Sequence, residues 1–269
     1  MLNWPIHVIN LDRSVTRRDA IEQEMLRLDF PFRRFSAIDG AELDRTRISE
    51  HPVQPERAIV KKPLTRAEIA CYLSHIAVWK EIAQGEHRAA FVFEDDATFR
   101  EDAAGVMKEI ARRTPDWDIL KLYSDKTKNL FDREFLGSKY YYGVARILPM
   151  STIGYAITKP AAAYMAQPAC RFSLPVDMDM KQWWNHQACV KIVQPSLCRP
   201  SEALQTSSEI NQDRERLWAG GDVSRFVRNI RYQGATKWAV FRHSHMQRRR
   251  ASWPVKAHAE ARRALDEGR

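Results

Sequence analysis

Phe91-Val92-Phe93-Glu94-Asp95-Asp96 joins an apolar run to three consecutive carboxylates. Acids placed together at the tip of a buried strand repel one another unless something positive is held between them. A hard divalent cation, Mn²⁺ or Mg²⁺, is the guest that such oxygens favour, and it keeps coordination positions open for substrate phosphates. The same triplet would also serve as a solvated acidic turn that closes a strand. The elements around it must decide.

Ile6 to Leu11 predicts a first strand, and Thr16 with Asp19 three residues on predicts a helix start, with Ile21, Met25 and Leu28 on one face. A second strand is expected near Phe32 to Ile38, ending at the Asp39-Gly40 turn. After a polar stretch with Pro52, Pro55 and Pro63, Thr65-Arg66-Ala67-Glu68 has the capping-box form. It opens a helix with the apolar stripe Ile69, Tyr72, Leu73, Ile76 and Ile82, stopped by Gly85. The Phe91 strand, a helix near Asp102 to Arg113 and a strand over Trp117 to Leu122 follow. This rhythm is that of an α/β protein with a mostly parallel central sheet covered on both faces. Ligands of such sheets lie beyond the carboxyl ends of strands, where the three acids fall. Ile153 to Ile157 and Val190 to Val193 read as further strands, and Thr158 with Pro160 as a short helix start. Val176-Asp177-Met178-Asp179 puts two acids at the start of a helix reaching about Gln187. Beyond Pro200 strand signals fade and mainly helices are expected.

The 269 residues, 44% hydrophobic, suffice for a full core. A formal net charge of +9 favours an anionic partner, and the basic excess is concentrated from Arg214 onward. Cys71, Cys170, Cys189 and Cys198 have neither metal-site nor disulfide-framework spacing, which fits a reducing compartment. The start of the chain does not read as a signal peptide, and no window approaches the roughly 20 apolar residues of a spanning helix.

Asn10-Leu11, Arg17-Arg18, Ala37-Ile38-Asp39-Gly40, Leu64 through His75, Phe93-Glu94-Asp95-Asp96 and Trp117 through Leu122 resemble, in this order, glycosyltransferase family 25. That family includes bacterial lipopolysaccharide and lipooligosaccharide core glycosyltransferases and collagen galactosyltransferases. The likeness covers roughly residues 5 to 210. It implies a GT-A type nucleotide-sugar-binding fold and an inverting transferase that uses a UDP-sugar, commonly UDP-galactose. The E-D-D run corresponds to the family's metal-binding acids, which makes Asp96 the expected metal ligand, with Glu94 and Asp95 near ribose and metal. A cation between diphosphate and carboxylate stabilises the charge of the leaving group.

Each matched position has a plainer reading beside the functional one. Asn10 is expected either to bond the nucleoside or to make a turn. Arg17 would meet a phosphate or be a solvated helix arginine, and Asp39 would touch the nucleoside or only form the D-G turn. Ser74 and His75 lie on an amphipathic helix, where His75 is either a satisfied structural histidine or part of the donor site. Inverting transfer also needs a base to take the acceptor proton. Asp177 is the first candidate and Asp179 the reserve, both at a helix start that keeps acids ionised; the plainer reading is a helix cap. Thr65-Arg66-Ala67-Glu68 departs from the family in carrying Arg-Ala where many relatives have a small or glycine-containing pair.

Two parts are expected: a GT-A-like domain over 1–210 and a basic, mainly helical C-terminal extension over 211–269. In the extension Trp218, Trp238, Phe241 and Trp253 interleave with Arg and Lys, as in a segment resting on an anionic membrane surface or as in an ordinary charged helical subdomain. The expected setting is a cytoplasmic enzyme, with peripheral contact at the inner membrane face, acting on a glycan or lipid-linked saccharide. The rival classes are a metal-dependent phosphohydrolase and a nucleic-acid-binding module. The first usually draws carboxylates and histidines from several elements. The second is disfavoured by acids at the binding edge and the lack of its motifs.

Overall fold

A computed structural model describes residues 2–43, 64–167, 174–186 and 188–204, together with residues 234, 236–238 and 241. Residues 211–269, expected as a helical extension, fall outside the described residues but for those few. So do Trp218 and Trp253.

Eight strands form one mixed sheet in the order β2-β1-β3-β8-β5-β9-β7-β6. They are β1 (Ile6–Asn10), β2 (Arg33–Ser36), β3 (Ala89–Glu94), β5 (Ile119–Lys121), β6 (Leu130–Leu136), β7 (Tyr140–Ala145), β8 (Gly154–Thr158) and β9 (Val190–Gln194). β4 (Ala97–Phe99) pairs with β10 (Cys198–Pro200) in a separate ribbon. The expected α/β architecture is present, and its parallel part is β2-β1-β3 together with β5-β9. β8 runs antiparallel between β3 and β5. The carboxyl ends of β3 and β5 therefore share an edge with the amino end of β8.

Alternation along the strands divides the core in two. Ile6, Val8, Phe91 and Phe93 face a cluster with Ile21, Met25 and Leu28 of helix α1 (Val15–Arg27) and its C-cap, and with Val106, Met107 and Ile110 of α3 (Ala103–Arg112). Ile9, Ala90, Val92, Tyr155 and Ile157 face the opposite cluster, built on α2 (Arg66–Gln84), α4 (Lys159–Met165) and α5 (Val176–Lys181). Period two then sends Glu94 toward α2.

The local signals of α2 act as read: Thr65 accepts from the backbone N–H of Glu68 at 3.1 Å, Glu68 accepts from Thr65 N–H at 2.8 Å, and Gly85 ends the helix. α1 begins two residues earlier than expected. Its N-cap is Ser14, held by a turn to the Leu11 carbonyl, so Thr16 lies inside the helix and no Thr16 capping box forms. The helix expected from Val176 to Gln187 breaks at Gln182 into α5 and a single turn α6 (Trp183–His186).

Candidate functional site

A cleft of about 170 Å³ opens at the carboxyl end of β1 and β3. Ile9, Leu11, Ser14 and Arg17 form one wall, Ala37, Ile38 and Gly40 a second, and Ala67, Ala70, Cys71 and Ser74 of α2 a third. Glu94, Asp95 and Asp96 close the end. Gly40 is required there: a Cβ would stand 2.9 Å from the backbone of Ala67, so a side chain would push the loop off α2.

Asn10 and Arg17 converge on Asp95. The Asn10 amide donates to Asp95 Oδ2 at 2.8 Å, while Arg17 donates to Oδ1 at 2.7 Å and lies 3.6 Å from Asp96 Oδ2. Arg17 also reaches the Leu204 carbonyl at 3.2 Å. Asp39 turns away from the acids: its Oδ1 accepts from Ala41 N–H at 2.8 Å and its other oxygen pairs with Arg13. Ser74 is engaged in holding the wall, accepting from Ile38 N–H at 2.9 Å and donating to the Ala70 carbonyl at 2.8 Å. His75 is fully buried behind Glu94, with Nε2 at 3.7 Å from Glu94 Oε1.

The three carboxylates differ in how readily they hold a proton. Burial alone would raise Glu94, but neighbouring His75, the Thr152 hydroxyl that donates to its Oε1, and Arg17 outweigh it and hold the carboxyl below its ordinary range. Asp95 is raised by burial, against the opposing pull of Arg17 and Asn10. Asp96 is pushed up to about 7 by burial and by the charge of Glu94, with Arg17 opposing. Its Oδ1 is buried without a hydrogen-bond partner among the described residues. An ionised oxygen in that condition is poorly matched to its surroundings, and a divalent cation would supply the missing charge and ligand. The donor set of Asp96 and Asp95 with adjacent Glu94 thus fits a hard cation.

Two groups in the same region escaped the sequence reading. Thr152 precedes β8, and its hydroxyl fixes Glu94. Lys121 ends β5 beside Tyr155, 1% exposed, donating to the Pro149 carbonyl at 2.8 Å. Burial lowers Lys121 to about 8, against the opposing charges of Asp177 and Glu94. A lysine within the apolar run Ile119 to Leu122 was the available signal; Thr152 left none. Between them, Ser151 takes φ 87°, a left-handed conformation that is costly for a residue with a Cβ.

Asp177 and Asp179 sit in the first turn of α5 and do not line the cleft. Asp177 Oδ1 accepts from Met178 N–H at 2.8 Å, while Asp179 Oδ2 accepts from Tyr72 OH at 2.6 Å. The Asp177 carboxylate lies in the field of Lys121 and is the less committed of the pair.

Comparison with known proteins shows the family of the chain. The profile of glycosyltransferase family 25 (LPS biosynthesis protein) matches residues 3–180. A glycosyltransferase 25 family member of Anopheles gambiae is 30% identical over 182 residues, covering 64% of this chain and 30% of that protein. Procollagen galactosyltransferase 2 of Mus musculus is 28% identical over 190 residues, and that of Homo sapiens 29% over 194, each match covering 67% of this chain and 30% of the relative. The chain thus matches less than a third of the length of these curated relatives. With more than half of its residues matched by the family profile, the chain belongs to glycosyltransferase family 25.

Proposed function

We propose that the protein is an inverting, metal-dependent glycosyltransferase that moves a hexose, galactose in the first instance, from a UDP-sugar to a lipopolysaccharide-type or other cell-envelope saccharide. Family membership supports glycosyl transfer, and the relatives' names support galactose as the sugar. The family description supports the acceptor. It also favours a transferase over a phosphohydrolase or a nucleic-acid-binding module. The observation that carries the metal-and-donor reading is the orphaned, buried Asp96 Oδ1 among three adjoining acids at the end of the cleft.

In this reading Asp96 and Asp95 would hold the cation, which supplies charge stabilisation to the departing diphosphate. Asn10 and Arg17 fix the Asp95 carboxylate from both sides, so it is oriented before substrate arrives. Thr152 does the same for Glu94. Asp177, in the field of Lys121, takes the proton of the attacking hydroxyl, with Asp179 held in reserve by Tyr72. Inversion follows if that hydroxyl approaches from the face opposite the nucleotide. A cytoplasmic location with peripheral contact of the basic C-terminal segment at an anionic membrane belongs to the same proposal, and flotation with anionic vesicles tests it.

Incubation with UDP-galactose, UDP-glucose, UDP-GlcNAc and UDP-GalNAc, with Mn²⁺, Mg²⁺ or EDTA, tests the reaction. Slow UDP release from UDP-galactose that needs the cation and is lost in Asp96→Asn is expected. Release that persists in EDTA, or no release from any of the four, would refute it.

A further inference from the structure

Behind Glu94 lies a buried polar chain that the transfer reaction as described does not use. Trp79, Tyr155 and His75 are all 0% exposed. The Trp79 indole N–H donates to the Tyr155 hydroxyl oxygen at 2.8 Å, and that oxygen lies 2.8 Å from His75 Nδ1. His75 Nε2 has no hydrogen-bond partner among the described residues and faces Glu94 Oε1 at 3.7 Å.

The hydroxyl of Tyr155 has one proton to give. Its partners among the described residues are Trp79 and His75, and an indole nitrogen only donates. The proton therefore goes to His75 Nδ1, which must present a lone pair. A doubly protonated ring would leave that tyrosine proton without an acceptor. Burial holds the Tyr155 hydroxyl well above the ordinary phenol range, so it keeps its proton. The ring proton of His75 is then on Nε2, pointing at Glu94. The opposite end of the chain requires the same choice, since the other tautomer would aim a lone pair at a carboxylate.

This bears on a second grouping. The ligand atoms of Cys71, His75 and Glu94 lie within 4.8 Å of one another, a spacing that suits a metal ion by distance alone. A metal would need the Nε2 lone pair that the hydrogen-bond chain removes.

We propose that Tyr155, backed by Trp79, fixes the tautomer of His75, which makes His75 a positioning residue whose Nε2–H orients Glu94, and not a metal ligand with Cys71. The consequence for Glu94 rests on the donor-site reading above; the tautomer does not.

Long-range ¹H–¹⁵N correlation spectra of histidine-labelled protein read the tautomer directly. The wild type is expected to show His75 protonated at Nε2 and bare at Nδ1, and Tyr155→Phe to mix the two forms. Titration with Mn²⁺-UDP reads the effect on the site. His75→Leu is expected to weaken binding by less than the roughly tenfold of one full hydrogen bond to a charged group, because the Nε2 contact is 3.7 Å long. His75→Gln, whose amide N–H reaches the position of Nε2, is expected to recover most of that loss. Protonation at Nδ1 in the wild type overturns the proposal, whatever the variants do. So does a Co²⁺–thiolate absorption band that disappears in Cys71→Ser, or equal losses in the Leu and Gln variants. Failure of the donor-site reading is distinguishable, because the wild type would then not bind Mn²⁺-UDP while its tautomer would still be read.

Discussion

Replacing Asp96 by asparagine removes one charge and changes almost no volume. Asp96 is raised from 3.8 to about 7 by burial and by Glu94, and its side chain is 17% exposed. At about 1.4 kcal/mol for each tenfold change in proton affinity, ionising it in the folded protein costs about 4 kcal/mol at most. Its partial exposure to solvent reduces this to about 2 kcal/mol. Because the folded value lies above the unfolded one, the folded state retains the proton longer. Stability is fully present below about pH 4, declines as pH rises toward 7 and stays low above it. Asp96→Asn removes that decline. Urea unfolding in EDTA is therefore expected to give equal stabilities for variant and wild type near pH 4, and a variant more stable by about 2 kcal/mol at pH 8. Adding Mn²⁺ at pH 8 is expected to raise the wild-type midpoint and leave the variant unmoved. A variant no more stable than wild type at pH 8 would refute the account of Asp96 as a carboxylate with an uncompensated charge.

Thr152→Val takes a donor from Glu94 in a buried setting, and a loss of about 1 to 3 kcal/mol in urea unfolding is expected, with weaker UDP-sugar binding by calorimetry. Unchanged stability and binding would count against the role of that hydroxyl. Gly40→Ala puts a Cβ against the backbone of Ala67, and a cost of about 1 to 3 kcal/mol is expected in thermal unfolding, together with a raised KM for the donor. Lys121→Met tests the buried lysine. Its folded value of about 8 lies below the ordinary 10.5, so the unfolded chain binds the extra proton and wild-type stability gains about 3 kcal/mol relative to the variant as pH rises across that interval. A constant difference between the two from pH 8 to 10.5 would contradict it.

The half of the fold that holds the acids was legible because its signals are local. Thr65-x-x-Glu68 and Gly85 bracket α2, and the apolar run from Phe91 stops where the carboxylates start. β6 and β7 were not legible. β6 is an edge strand whose middle carries Asp132, Arg133 and Glu134, so it lacks an apolar alternation. The short β4 and β10 depend on pairing with each other across about a hundred residues, a contact without a local trace. Within the site, the strand-end argument placed the acids and the family resemblance pointed to Asn10 and Arg17, but that these two converge on Asp95 was not legible. Where Asp39 and Ser74 spend their hydrogen bonds could not be read, since it depends on Arg13 and Ile38 across loops. Thr152 was hidden because the antiparallel direction of β8, which brings it to the edge, is a property of topology.

That direction has a bearing on how such a scaffold diversifies. β8 enters the sheet from the site edge, and in the segment before it, residues 146–152, Arg146, Ile147 and Met150 are exposed while Leu148, Pro149 and Thr152 are buried. Lengthening this segment would build material above the cleft, while β3, β8 and β5 keep their register beneath it. A change in what is recognised there can then accumulate without disturbing the strands and the helix that carry the acids. The fold separates a part that must remain constant from a part that is free to vary: Gly154, where a Cβ would collide with Phe93 and Cys198, and Thr152, which holds Glu94, belong to the first, and the exposed Arg146, Ile147 and Met150 to the second.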